Sequence, residues 1–151
     1  DDAQDKPSEI NVDAIGIGSG VASRLIELGL PAKAIKVGIN IRPQRRDEPR
    51  RWWHEYSNVR AALHYRAAEW MHGGCIPNDR EFIAEASSIK PGPDNSQGQR
   101  TIEPKADIRS RLGRSPNRLD SFILTFAIGE IGLKGGTKQD RAGWFVERAR
   151  G

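Results

Sequence analysis

Apolar positions along the chain fall in short blocks set apart by glycine, proline and charge. "INVDAIGI" (10–17) has the branched aliphatics of a short buried strand, with a turn signal after it. "GVASRLIELG" (20–29) puts Val21, Leu25 and Leu28 on one helical face, and Gly29 and Pro31 stop it. "AIKVGIN" (34–40) reads as a second strand. Strand, helix and strand in this order predict a right-handed βαβ unit with its two strands parallel. "RPQRRDEPRRWWHEYSN" (42–58) reads as a charged loop or mobile arm. Residues 58–72 have helical spacing, with Leu63, Ala67, Trp70 and Met71 turned to a core. "HGGCIPND" breaks that helix, and "DREFIAEASS" starts another behind an Asp79 cap. "IKPGPDNSQGQRTIEP" reads as a loose hairpin with a Gly-, Pro- and Asn-rich tip. "KADIRSRLG" is a short helix ending at Gly113. "SPNRLDSFILTFAIGEIG" (115–132) is expected as the last, long helix, with Ser115 its cap and Pro116 its first residue. The chain is thus expected as a frayed or extended segment 1–9, an α/β domain 10–131 and a flexible tail 132–151.

Composition narrows the class. A chain of 151 residues fits one domain. At 36% hydrophobic and 29% charged, it predicts a modest core with a wide polar periphery, or a piece of a larger assembly. The net charge of +4 permits a polyanion partner without requiring one. A lone cysteine, Cys75, excludes an internal disulfide and any cysteine-cluster zinc site, and suits a reducing compartment. No apolar run is long enough to span a bilayer, and the acidic start is unlike a secretory leader. No membrane partner is expected, and a cytoplasmic location is.

Two features bear on chemistry. The first is the glycine turn after the opening strand. Glycines fall at 16, 18 and 20, whereas a dinucleotide fingerprint has its third glycine where Val21 stands. The ribose-binding acid is also missing about 20 residues on, and no P-loop is present. The glycines therefore serve a tight strand-to-helix turn and a close approach of backbones. The second feature is a pair of misplaced acids. Asp13 lies near the end of the first strand, the edge where parallel α/β sheets build sites. Asp120 lies one turn from Ile123 and Leu124 and two turns from Ala127, on a face that must meet a core. A carboxylate so placed is costly unless paired, hydrogen-bonded or metal-bound. Two of them facing each other repel, and a divalent cation removes that problem. Carboxylates from separate elements converging on Mg²⁺ or Mn²⁺ are what phosphodiester cleavage uses. The bland alternative is that Asp120 gains from the helix dipole and Asp13 from neighbouring amides.

Other candidates are weaker. His54, His64 and His72 do not make a metal set and read as surface or packing residues. Trp52 and Trp53, beside Arg50 and Arg51, either stack on bases and grip phosphates or anchor a loop by aromatic burial. Arg109, Arg111, Arg114 and Arg118, close to Asp120 in sequence, are the choice for DNA phosphate contacts, with ordinary exposed helix charge as the alternative. Glu69 and Glu103 are minor site candidates.

"VDAIGIGSGVASRLIELGLP", "SNVRAALHYRAAEWM" and "IEPKADIRSRLGRSPNRLDSFILTFA", in this order and spacing, resemble the C-terminal nuclease domain of tailed-phage terminase large subunits. The resemblance covers roughly residues 10–128. Its most specific part is "GRSPNRLDSFILTFA", similar to the family's Arg-Ser-Pro-Asp-x-x-Asp-Ala-Leu block. The resemblance implies an RNase H-like fold and two-metal (Mg²⁺ or Mn²⁺) endonucleolytic cleavage of double-stranded DNA. Asp120 takes the place of the block's final catalytic aspartate, and Asp13 that of the family's middle aspartate. Implied partners are DNA, the packaging-motor ATPase domain, the portal and the small terminase subunit, in the cytoplasm of a bacterial host carrying the phage or prophage.

Two departures shape the expectation. The block's first acid is Asn117 here. The family's first catalytic aspartate belongs to an opening strand upstream of Asp13, and no apolar strand surrounds Asp1, Asp2 or Asp5. The expected architecture is a partial RNase H-like α/β domain, short parallel strands flanked by helices, with the opening strands missing. Two carboxylates hold a metal pair poorly, so weak or no cleavage is expected of this chain alone. A bare sheet edge is expected either to pair with a second copy as a homo-oligomer or to contact a missing segment. The rival readings are a non-catalytic terminase-derived module binding DNA or packaging partners, and a small nucleotide-binding α/β protein, which the glycine spacing disfavours.

Overall fold

The computed structural model describes residues 7–47, 49, 51–76 and 78–127. The start of the expected frayed segment (1–6), the end of the expected last helix and the tail 132–151 lie outside the described residues. The described residues divide into two units, one of residues 7–37 with Ala127, the other Gly38–Phe126.

The first unit is the expected strand–helix–strand. Strand β1 (Ile10–Asp13) pairs in parallel with β2 (Ala32–Ile35), in the register Ile10 to Ala32 through Asp13 to Ile35. Helix α1 (Gly18–Glu27) joins them. It ends in a Schellman turn: Gly29 adopts φ +74°, its N–H bonds Ile26 O, and Leu30 N–H reaches back to Leu25 O. Two expectations shift. The second strand lies two residues earlier than "AIKVGIN", because Ile39 and Ile41 are claimed elsewhere: Ile39 O accepts Val59 N–H, and Ile41 N–H bonds Ser57 O. The buried side of α1 is also not the Val21–Leu25–Leu28 face. Ala22 is the buried residue (1% exposed), while Val21 (48%) and Leu28 (58%) face out.

Gly18 supplies the reason. A Cβ there would lie 1.7 Å from the Asp13 carbonyl oxygen. Helix and strand thus touch through Gly18, and the residue one turn on, Ala22, must also be small. Of the three glycines, Gly16 is needed for its φ of +65° and Gly18 for this contact, whereas Gly20 faces open space. Gly18→Ala is expected to destabilise by about 1–3 kcal/mol through the forced backbone shift. Gly20→Ala is expected to gain roughly 0.5–1 kcal/mol from helix propensity. Urea unfolding of the two variants checks the contrast, and equal midpoints would contradict it.

The second unit is mostly helical. It runs through a 3₁₀ turn (Trp52–Glu55), α2 (Val59–Met71), α3 (Arg80–Ser88), the antiparallel pair β3 (Pro91–Gly92) and β4 (Thr101–Ile102), α4 (Lys105–Leu112) and α5 (Asn117–Leu124). α2 is capped by the Asn58 side chain, which accepts Ala61 N–H, and α3 by Asp79, which accepts the N–H groups of Glu81 and Phe82. α5 packs on α2 and α3, α4 on α3, and β4 on α2. The core is Val59, Ala61, Ala62, Leu63, Ala67, Phe82, Ile108, Leu119 and Ile123. Beside it the rings of Trp70, Phe82, Phe122 and Phe126 meet edge-on or tilted, 5.1–5.9 Å apart.

The segment read as a charged loop or mobile arm is held firmly at its end. Buried Gln99 donates its amide Nε2 to the carbonyls of Ile41 (3.0 Å), His54 (3.0 Å) and Tyr56 (2.9 Å). Arg100 N–H bonds Glu55 O, and Ser57 N–H bonds Arg100 O. The last helix also departs from expectation. It is eight residues long and ends at Leu124, where tighter bonds from Thr125 and Phe126 N–H to Phe122 and Ile123 O close it. Pro116 stands at its cap position and provides no side-chain cap. The Ser115 hydroxyl instead accepts Arg109 Nε–H at 2.8 Å.

Candidate functional site

Asp13 closes β1, at the C-terminal edge of the parallel pair. Its backbone is fixed on both sides, since Ala14 N–H bonds Ile35 O at 2.8 Å and its own carbonyl abuts Gly18. Its part-buried carboxylate makes a short local bond, accepting Ile15 N–H at 3.1 Å.

Asp120 belongs to the second unit, in the first turn of α5, where the helix dipole favours an acid. Its Oδ2 lies 2.5 Å from the Lys105 Nζ at the start of α4. Two buried nitrogen groups follow on α2, and the charge of Asp120 acts on the first of them, Arg60. Arg60 donates Nη1–H to Glu103 O at 2.9 Å, while its buried Nε and Nη2 find no hydrogen-bond partner among the described residues. Burial lowers the Arg60 pKa, and the negative charges of Asp120 and Glu103 act against that shift. His64, one turn along the helix, is 6% exposed, and its Nε2 also has no hydrogen-bond partner among the described residues. Burial first, then the charges of Arg60 and Lys105, push its pKa down from 6.5 to about 3. His64 is therefore neutral at pH 7. It stands on the wall of a cavity of about 260 Å³, shared with Tyr65, Met71, Ile89, Ile102 and Leu119.

The four arginines named from sequence are all exposed. Arg111 forks onto Glu103 (Nη2–Oε1 2.5 Å, Nη1–Oε2 2.8 Å) and holds that carboxyl below the usual carboxylate range. Arg118 bridges Asp79 (2.5 Å) and Glu81 (2.9 Å) at the start of α3. Arg114 pairs with Glu85, which is 0% exposed and whose second oxygen accepts Leu119 N–H at 2.9 Å. Arg109 donates its Nε–H to the Ser115 hydroxyl. Three of the four thus tie α4 and α5 to acids of α3 and the hairpin, a task the sequence did not reveal. Glu69 pairs with Arg66 on the exposed side of α2. Of the histidines, His64 is buried, His54 part-buried and His72 exposed.

The residues that sequence reasoning missed are Lys105, Arg60 and Glu85. Glu85 carried a signal, for it follows Phe82 by three on an amphipathic helix, the same misplacement that drew attention to Asp120. Lys105 and Arg60 carried none, since their partners lie far along the chain.

The donor chemistry can be weighed for a divalent ion. Among the described residues no three His, Cys, Asp or Glu side chains gather as a metal set. Asp13 and Asp120 offer the hard oxygens that Mg²⁺ or Mn²⁺ prefers, but two carboxylates are fewer than a metal pair needs. The neighbour of Asp120 within its unit is an ammonium, not a second acid. These residues do not by themselves fit a resident metal pair.

No known family model matches the sequence, and no curated protein matches it. Solved structures do share its fold. The nuclease domain of the large terminase subunit gp2 of bacterial virus Sf6 superimposes with a TM-score of 0.54 at 20% identity. A mutant of that domain, determined with manganese and β-thujaplicinol, gives 0.55 at 20% identity. In both cases 77% of this chain is covered, and the chain spans 63% of the length of the structure it matches. The α/β fold, with its short parallel strands and five helices, is therefore similar to that of phage large-terminase nuclease domains, an RNase H-like fold.

Proposed function

We propose that this chain is the nuclease module, or a piece of it, of a phage or prophage terminase large subunit, which cuts double-stranded DNA. One observation carries the reading. The fold is similar to that of a terminase nuclease domain, and the two acids to which the resemblance gives the family's catalytic places, Asp13 and Asp120, occupy a strand's C-terminal edge and a helix's first turn. In this reading Asp13 and Asp120 are the ligands that the resemblance implies for Mg²⁺ or Mn²⁺, and donors beyond this pair are needed to hold the ion. Were a divalent ion held by these acids, it would supply an activated water and charge neutralisation at the leaving oxygen. Lys105 holds the Asp120 carboxylate in place, and the Asp120 charge acts on the buried Arg60 guanidinium. Arg109, Arg111, Arg114 and Arg118 approach the DNA phosphates without reading sequence. The packaging ATPase, the portal or the small terminase subunit, and a second copy through the sheet edge, are the partners this reading implies, in the host cytoplasm.

The Lys105–Asp120 pair favours a second reading, a non-catalytic terminase-derived module that binds DNA. Plasmid nicking in Mn²⁺, run beside duplex binding, separates the two. Weak nicking by the chain is expected, reduced on the order of a hundredfold in Asp120→Ala and Asp13→Ala with duplex binding kept. Nicking unchanged in Asp120→Ala removes that residue from the mechanism. Duplex binding with no nicking at all selects the non-catalytic reading.

A further inference from the structure

We propose that the 3₁₀ turn Trp52–Glu55, with the adjoining side of α2, is a platform for unpaired DNA bases. Four part-buried rings follow one another there. Trp53 meets Trp52 edge-on at 5.7 Å, Trp52 meets Tyr56 at 6.3 Å, and Tyr56 stacks on Tyr65 at 5.2 Å. Guanidinium groups lie over three of them: Arg51 over Trp53 (5.7 Å), Arg66 over Trp52 (5.6 Å) and Arg100 over Tyr65 (5.5 Å). The approach to the turn, residues 42–51, carries five arginines against two acids.

Anchoring the loop does not require all of these rings. That work is done by the Gln99 amide on the carbonyls of Ile41, His54 and Tyr56, and by the backbone bonds between Arg100 and Glu55–Ser57. The turn is pinned through its backbone, and the indoles stand half-buried on it, each beneath a guanidinium. Rings interleaved with guanidinium groups suit a ligand that has flat apolar faces and regularly spaced negative charge. Unpaired nucleotides have both, whereas duplex DNA hides its base faces within the stack. The proposal adds a strand-end or displaced-strand site to the DNA reading above and rests on it only for the choice of nucleic acid.

The test is fluorescence anisotropy with the full chain, using labelled oligothymidine and a labelled duplex of equal length. Trp52→Ala and Trp53→Ala are each expected to weaken oligothymidine binding on the order of tenfold, with duplex affinity changed by less than about twofold. Trp52→Phe retains most of the affinity because it keeps a stacking face, and Arg66→Gln weakens it without removing a ring. These two variants carry the test should either alanine variant fail to fold. A wild type that binds duplex but not oligothymidine overturns the platform and leaves the nuclease reading standing. Oligothymidine binding without plasmid nicking does the reverse. Equal oligothymidine binding by wild type and all variants, or capture of a proline-rich peptide in its place, also overturns the platform.

Discussion

Glu85→Ala is expected to lower the unfolding free energy by about 3 kcal/mol, measured by urea unfolding of the full chain. The carboxylate is fully buried and does two jobs at once. One oxygen pairs with the Arg114 guanidinium, and the other accepts the N–H of Leu119, the third residue of α5. That N–H is one of the four a helix leaves open at its start. A side chain of the same helix usually satisfies one of them, but here Pro116 stands in the cap position and Ser115 is engaged by Arg109. α3 therefore caps α5 from outside. Loss of one partner of a buried pair costs ~3–5 kcal/mol. The lower end applies because the Arg114 side chain is partly exposed and regains water when Glu85 is gone. Glu85→Gln keeps an acceptor for Leu119 and is expected to fall between wild type and Glu85→Ala. Because α5 carries Asp120, plasmid nicking is expected to weaken in both variants. A Glu85→Ala chain as stable as wild type would show that α5 does not depend on this carboxylate.

Acid is expected to destabilise the fold from pH 6.5 downward, through His64. Its imidazole is neutral in the folded chain, with a pKa pushed down to about 3, against 6.5 when unfolded. Between these values the unfolded chain binds a proton that the folded chain refuses. Stability therefore rises with pH across this window and is lost as pH falls below 6.5. The loss is about 1.4 kcal/mol per pH unit once well inside the window, or about 2 kcal/mol by about pH 5. The carboxyls of Asp79 and Glu103 are held below their ordinary values by hydrogen bonds, from Phe82 N–H first for Asp79 and from Arg111 first for Glu103. Their contribution is present above those ordinary values and lost at lower pH, so the range from 6.5 to about 5 isolates the histidine. Unfolding of wild type and His64→Leu at pH 7.5 and 5 measures it. The variant also removes the partnerless Nε2, so it is expected to be at least as stable at pH 7.5 and nearly insensitive to the change. Parallel losses in the two proteins would place the acid sensitivity elsewhere.

Local rules made much of the fold legible. The glycine turn, the Asp79 cap, the left-handed Gly113 stop and the hairpin around Asn95–Gly98 each follow from residues within a few positions of one another. What stayed hidden is long-range. The start of α5 reads as a Ser115 cap until Glu85 arrives from a helix more than thirty residues upstream. The second strand reads two positions late because Ile39 and Ile41 look as strand-like as Ala32 and Ala34, and only the bonds to Val59 and Ser57 show that they belong to the other unit. The site shows the same division. Asp13 and Asp120 stood out as acids in apolar surroundings, while Lys105 and Arg60 looked like ordinary helix charge. Periodicity detects a misplaced acid, but not the cation that answers it.

The contact between Gly18 and Asp13 also sets how the first of these acids can behave. With the peptide on either side clamped between helix and neighbouring strand, the carboxylate swings about two side-chain torsions from a stationary pivot. Its oxygens sweep a shallow arc above the strand's end and roam no further. Whatever Asp13 serves must come within that arc, and a methyl group at position 18 would move the pivot itself.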